Sequence, residues 1–291
     1  KKSTIPKILM KLLSSRKATR KKAEKETDEF VKALLDAQQL AYKLTANSLY
    51  GQLGSGTSKV RRVVLAASTT AYGRKQLIFA KDLIEEVYGG GRDPRCEASA
   101  VYGDTDSLFI RWLPKNSETG ERLTGDEAVS LAKDLTQEAG ELVSFYLKEP
   151  HDFEFDKVFK TFCLLSKKRY VGDMSEGDLD CFYRKAMGIV MKRRDNAPIV
   201  KYVYGGVIEN ILVKQDIKSA FDFVQKSCLE LVEGKFPISK LTITKSLRAE
   251  YKTPNPPAHK ILAERIGQRD PGNKPSSSER IPYVYIPAPV G

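Results

Sequence analysis

Ten residues at 101–110, VYGDTDSLFI, restrict the fold more tightly than any other stretch of the chain. Val101 and Tyr102 precede a polar knot, and Leu108, Phe109 and Ile110 follow it. Gly103, Asp104, Thr105 and Asp106 are turn formers, so the pattern predicts a β-hairpin whose tip is GDTD. Asp104 and Asp106 stand two residues apart, which puts both carboxylates at the tip or on one face. Two like charges ~4 Å apart repel by about 4 kcal/mol at an effective dielectric of 20. A divalent cation between them turns that repulsion into attraction, and Mg²⁺ favours one or two carboxylates plus substrate phosphates. One reading is therefore a metal site for phosphoryl or nucleotidyl transfer. Taken alone, the ten residues are more simply a solvated turn. An EF-hand is excluded, because DTDSLF lacks the glycine of the sharp turn.

The surroundings bear on that choice. The 291 residues suggest about two domains, with three allowed. A hydrophobic content of 41% supports a folded core and argues against disorder. Lys and Arg exceed Asp and Glu by enough to leave a net charge of +12, which predicts a polyanionic partner. No apolar run reaches the ~20 residues of a membrane span, so nucleic acid is the expected partner rather than a membrane. Cys96, Cys163, Cys181 and Cys228 show no CxxC spacing, and His151 and His259 are the only histidines. That argues against zinc and for free thiols in a reducing compartment. The N-terminus has no secretory pattern, and both ends read as cut.

Along the chain, residues 8–25 predict a helix with an apolar stripe (Ile8, Leu9, Leu12, Leu13) followed by a basic run. Arg16 and Arg20 share a face of it, which is equally consistent with a solvated helix. Thr27 or Asp28 caps a second helix, giving an αα-hairpin. That helix runs into KLTANSLYG at 43–51, where Lys43, Asn47 and Tyr50 fall on one side. The face suits a nucleotide, with charge for phosphate and a ring for base or sugar. By itself it could be a polar helix end. The glycine-rich loop 51–58 lacks the P-loop ending. Residues 60–88 predict a long helix closed by Gly89, Gly90 and Gly91, and Thr124 with Glu127 predicts a capping box for a helix through 147. Residues 153–185 read as strands, with Lys167, Lys168, Arg169 and Tyr170 forming a basic, aromatic grip or a protective charged edge. From 187 onward, helices at 198–214, 216–232 and 259–267 are expected. Short strands are expected at 241–244 and 281–286, with a boundary near 187–192.

The fold class predicted from these elements is α+β, helices against an antiparallel sheet. The motifs KLTANSLYG (43–51), YGDTDS (102–107) and KKRY (167–170), in this order, resemble the polymerase core of a B-family DNA polymerase. GIVMKRRDNAPIV (188–200), LTITKSL (241–247), AERIGQRDPG (263–272) and ERIPYVYI (279–286) resemble the delta-type enzymes of eukaryotes and large DNA viruses. The resemblance implies helical-hairpin fingers over 1–50, an antiparallel-sheet palm with packed helices over 51–187 and a mostly helical thumb over 188–291. It implies template-directed transfer of dNMP from dNTP to a primer 3′-hydroxyl during replication. Asp104 and Asp106 would be the catalytic pair holding two Mg²⁺ ions. Arg16, Arg20, Lys43, Asn47 and Tyr50 would serve the incoming nucleotide. Lys168, Arg169, Tyr170, Arg193 and Arg194 would contact primer–template DNA. Arg20 stands where delta-type sequences usually carry lysine, replacing a point charge by a planar fork. A processivity clamp and accessory subunits are expected partners of a parent enzyme, in the nucleus or at a viral replication site within a host cell.

The family carries a further carboxylate motif, Asp followed shortly by Ser-Leu-Tyr-Pro, upstream of the fingers. Residues 1–291 do not contain it. The expectation is therefore an internal fragment, inactive by itself, with one metal ligand supplied from outside. The alternative is a non-catalytic polymerase-like module that only binds DNA, for which the intact Asp104, Asp106 and Lys43 would have no use.

Overall fold

A computed structural model describes residues 3–252 and 254–286; the proline-broken end at 287–291 lies outside the described residues. The architecture is α+β, as expected, with small antiparallel sheets among helices. The chain divides into two compact units. One comprises Lys1–Glu86 with Ala100–Ile110, the other Val87–Ser99 with Arg111–Gly291.

The first unit opens with helices α1 (Thr4–Lys25) and α2 (Glu29–Gly54), which form the predicted αα-hairpin. Of the two possible caps, Asp28 is the one used. Its carboxylate accepts from the amides of Phe30 at 2.8 Å and Val31 at 3.3 Å, satisfying donors that the first helical turn leaves open. Helix α3 (Val63–Tyr88) begins three residues later than the periodicity suggested. Strands β1 (Cys96–Asp104) and β2 (Ser107–Pro114) form the predicted hairpin, closed by Thr105 and Asp106. Within this unit α3 is tied to β1 where the Ala100 amide donates to the Glu85 carboxylate at 2.9 Å. Lys81 also bonds Glu85 at 2.9 Å, and the two bonds hold that carboxyl below its usual range despite some burial.

In the second unit, helix α4 (Gly125–Tyr146) precedes a three-stranded antiparallel sheet of β3 (Val158–Ser166), β4 (Arg169–Ser175) and β5 (Tyr183–Met187). The capping box expected at α4 does not form, since Thr124 makes no side-chain cap bond. The chain enters the helix through Gly125 at φ 67, a left-handed backbone outside the geometry a capping box needs. Asp126 instead meets Lys160 of β3 at 2.6 Å.

After a 3₁₀ turn at Val190–Lys192 come α5 (Pro198–Leu212) and α6 (Ile217–Val232). Val171, Ala186, Ile189, Ile208 and Leu212 bury one another between the sheet and α5. A fully buried Val, Leu or Ile of this kind contributes roughly 1.5–3 kcal/mol. Arg184 of β5 adds a polar tie, bonding Asp173 of β4 at 2.9 Å and Glu209 of α5 at 2.7 Å. Gly206 makes α5 and α6 approach closely, because a Cβ there would run into the Phe223 ring.

The strand expected at 241–244 lies further on. Residues Ile238–Leu241 form the short helix α7, and β6 is Ile243–Ser246. It pairs antiparallel with β7 (Arg280–Tyr283), and α8 (Ala258–Arg269) packs on β7. Leu247, Ala263 and Ile281 form a separate small core there.

Candidate active site

The hairpin tip places the two aspartates differently. Asp104 ends β1 and is half-buried, whereas Asp106 sits in the turn and is exposed. Thr105 between them has φ 61, in the left-handed region. For a β-branched residue this is an outlier, and such outliers gather where the surrounding structure enforces them. Here the enforcement is local. The Asp106 amide donates to the Asp104 carbonyl at 2.7 Å, a γ-turn bond, and the Ser107 hydroxyl donates to the same carbonyl at 3.1 Å. The Thr105 hydroxyl donates to Asp104 Oδ1 at 3.1 Å. Behind the tip, the rings of Tyr102 and Phe109 meet across the strands with centroids 5.3 Å apart.

The donor set is hard oxygen on two neighbouring acids, which suits Mg²⁺ completed by substrate phosphates. Among the described residues no group of three or more His, Cys, Asp or Glu is placed to hold a metal ion, so the tip offers a pair rather than a closed cage.

On α2, Lys43, Asn47 and Tyr50 are all exposed and follow one another at helical intervals. Arg16 of α1 donates from Nε to Gln39 Oε1 at 3.3 Å. Gln39 lies four residues before Lys43 on the same face, so Arg16 and Lys43 come within about one turn of each other. Arg20 is exposed one turn further along α1.

Lys168, Arg169 and Tyr170 lie at the second unit's β3–β4 turn. Lys168 sits in the turn at φ 59, and Arg169 is exposed at the start of β4. Tyr170 turns inward, packing on Phe162 at 5.4 Å and Phe159 at 6.3 Å between centroids. Gly188 leaves room for this turn. Its φ is 62, and a Cβ on it would strike the Lys168 carbonyl.

Arg193 and Arg194 follow the 3₁₀ turn. Arg193 forms a two-pronged pair with Asp195, at 3.0 and 2.8 Å, which draws the Asp195 carboxyl down to about 2. Arg194 lines a cavity of about 710 Å³ together with Lys245, Arg248 and Arg280. Sequence reasoning missed these last three cations. Lys245 and Arg248 are near neighbours in sequence, but Arg280 lies far along the chain, and the β6–β7 register, with Ser246 opposite Arg280, brings it to them.

Known proteins resemble the chain along its whole length. The sequence model of DNA polymerase family B matches residues 1–289. The DNA polymerase of Pyramimonas orientalis virus is 42% identical over 98% of the chain and 26% of its own length. The DNA polymerase delta catalytic subunit of Schizosaccharomyces pombe is 35% identical over all of the chain and 26% of its own. The chain thus spans about a quarter of the length of these relatives. Among solved structures, the family B DNA polymerase of the archaeon Pyrobaculum calidifontis aligns with 98% of the chain and 33% of its own, at 26% identity and TM-score 0.60. With residues 1–289 matched by the family's sequence model, the chain belongs to DNA polymerase family B.

Proposed function

We propose that the chain supplies fingers, palm and thumb elements of a DNA-directed DNA polymerase acting in replication, over 1–50, 51–187 and 188–291. The observation that carries this reading is the Asp104–Asp106 turn, a strained β-branched residue flanked by two carboxylates, in a chain of this family. The reaction is attack of a primer 3′-oxygen on the α-phosphorus of a dNTP, with pyrophosphate leaving.

Asp104 and Asp106 are the residues that would hold magnesium, two ions with a further ligand from outside residues 1–291. When bound, the metal supplies Lewis-acid polarisation of the phosphate and eases loss of the primer hydroxyl proton. The chain's own groups bind and orient. Lys43 and Arg16 neutralise charge growing on the β- and γ-phosphates, with Arg20 adding to the field around them. Asn47 and Tyr50 line the side of α2 that faces the nascent pair. Lys168 and Arg169 hold the primer–template backbone, while Tyr170 anchors their strand through Phe159 and Phe162. Arg193 and Arg194 extend that grip. The description of the Schizosaccharomyces pombe relative as a catalytic subunit supports accessory subunits for the whole protein, and a processivity clamp is proposed beside them. Viral and eukaryotic relatives support a site of action in the nucleus or a viral replication site. Among the described residues no helix is long and apolar enough to cross a membrane.

The test is Asp106→Asn in the intact polypeptide, assayed by single-turnover incorporation. The rate should collapse while duplex affinity stays near wild type. A variant keeping more than about a tenth of the rate, far above what loss of a transition-state partner allows, refutes the metal-ligand role.

A further inference from the structure

The bonds inside the acidic tip set its shape, but they leave open where the tip stands. A two-stranded hairpin is marginally stable by itself in water, so what it packs on must place it. In the first unit that support is α3, which meets β1 at two points. One is the Ala100 amide, which donates to Glu85 Oε1 at 2.9 Å. The other is Gly103, the residue before Asp104, where a Cβ would stand 3.4 Å from Leu77 Cδ2. The Leu77 side chain therefore lies against the strand backbone next to the first catalytic-site carboxylate.

The two points share one spacing. Leu77 and Glu85 lie about 12 Å apart along α3, and Gly103 and Ala100 about 10 Å apart along β1 in the opposite sense. Helix and strand therefore run side by side and antiparallel, in a single register. Ala80 and Ile84, between the two on the same side of α3, are almost wholly buried. The Glu85 carboxylate divides its oxygens between two donors. Oε1 takes the strand amide and Oε2 takes Lys81 Nζ at 2.9 Å, so the acceptor is itself held in place. The consequence for Asp104 is direct. A slide of one residue would carry it about 3.3 Å along α3 and turn its carboxylate to the other face. Catalysis is far less forgiving, since a misplacement of about 1 Å can cost about 100-fold in rate.

We propose that Glu85 and Leu77 are positioning residues for the Asp104–Asp106 pair, setting the register of β1 on α3 and through it the place of both carboxylates. The inference rests on reading that pair as magnesium ligands, and it adds two residues of α3 that the reading does not use. Both act through the backbone of β1 rather than on the metal or the nucleotide, and Lys81 steadies the Glu85 carboxylate.

The test measures metal binding without turnover. The intact polypeptide is assembled with a dideoxy-terminated primer–template and the matching dNTP, and Mn²⁺, a paramagnetic substitute for magnesium, is titrated by electron paramagnetic resonance. The binding that Asp106→Asn loses belongs to the tip. Glu85→Ala and Leu77→Ala should each weaken that binding roughly tenfold, the scale of losing a residue that orients a metal ligand. Glu85→Gln keeps an oxygen for the Ala100 amide and should recover most of the loss. Asp82→Ala removes a neighbouring carboxylate that among the described residues bonds only Lys81, and it should match wild type. Hydrogen exchange over 98–104 should quicken about tenfold in Glu85→Ala and stay near wild type in Glu85→Gln. Loss of fold lowers the number of metal sites and leaves the affinity of the remaining ones unchanged, so a purely structural role is separable. Wild-type Mn²⁺ affinity in Glu85→Ala or in Leu77→Ala overturns the proposal. Should Glu85→Ala fail to fold, Leu77→Ala decides by the same criterion. Asp106→Asn binding Mn²⁺ as wild type does overturns the magnesium reading instead.

Discussion

Two hairpin tips of opposite charge close on the same device. Thr105-Asp106 joins β1 to β2, and Lys167-Lys168 joins β3 to β4, each turn holding a non-glycine residue in the left-handed region, at φ 61 and φ 59. They differ in what enforces that backbone. The acidic tip is fixed by its own atoms, since the Asp106 amide and the Ser107 hydroxyl both donate to the Asp104 carbonyl. At the basic tip a distant residue, Gly188, leaves the room in which the Lys168 carbonyl sits where a Cβ would be. On the proposed reading the acidic tip performs chemistry, which tolerates little positional error, and four contiguous residues supply that precision locally. On the same reading the basic tip grips a polyanion by charge, which tolerates more, and its turn can depend on packing elsewhere.

The sharpest break of this comparison should come from the acidic tip. In the intact polypeptide, Asp106→Asn should lower the single-turnover rate by ~100-fold or more, the scale of losing one transition-state electrostatic partner. Asp104→Asn should be impaired to a smaller degree. Duplex affinity, read by anisotropy, should hold in both.

Lys43 stands outside both tips and serves as a reference. Lys43→Ala should weaken apparent dNTP affinity by roughly tenfold and slow the chemistry, leaving duplex affinity alone. Lost duplex binding with unchanged dNTP dependence would move Lys43 to the DNA backbone.

Gly188→Ala tests the remote support. The added Cβ meets the Lys168 carbonyl, and the residue must still adopt φ 62, so a cost of about 1–3 kcal/mol is expected in urea unfolding. Duplex affinity should fall, while the incorporation rate at saturating duplex stays near wild type. A slowed chemical step would couple the two tips and remove the contrast.

Acid should act on the strand behind the basic tip with the smallest effect. The hydrogen bond from Arg184 holds the Asp173 carboxyl below its ordinary value against a desolvation penalty. A depressed folded-state pKa gives stability that is present above the unfolded value near 3.8 and is lost as pH falls through the lower folded value. The urea midpoint difference between wild type and Asp173→Asn should accordingly be steady near neutrality and shrink below about pH 4.

How much of this was legible in the sequence follows the same division. The acidic hairpin, the αα-hairpin and the Lys43–Asn47–Tyr50 face could be read because each depends on residues within a few positions of one another. The motifs also carried the family, which the match over 1–289 bears out. Lys168 and Arg169 were visible as a basic run, yet nothing near them pointed to Gly188. Lys245, Arg248 and Arg280 were invisible as a cluster because a strand register and a helix set 36 residues of chain into one wall. The Thr124 cap failed for a related reason, since the positive φ of Gly125 outweighs a favourable spacing of residue types.

The most direct test crosses the two tips. Single-turnover incorporation rate and duplex dissociation constant are measured together for Asp106→Asn and Arg169→Ala in the intact polypeptide. The account predicts that Asp106→Asn loses rate and keeps affinity, while Arg169→Ala loses affinity, lowers the salt slope by about 1 and keeps the rate at saturating duplex. It is contradicted if Asp106→Asn still incorporates nucleotide at more than about a tenth of the wild-type rate.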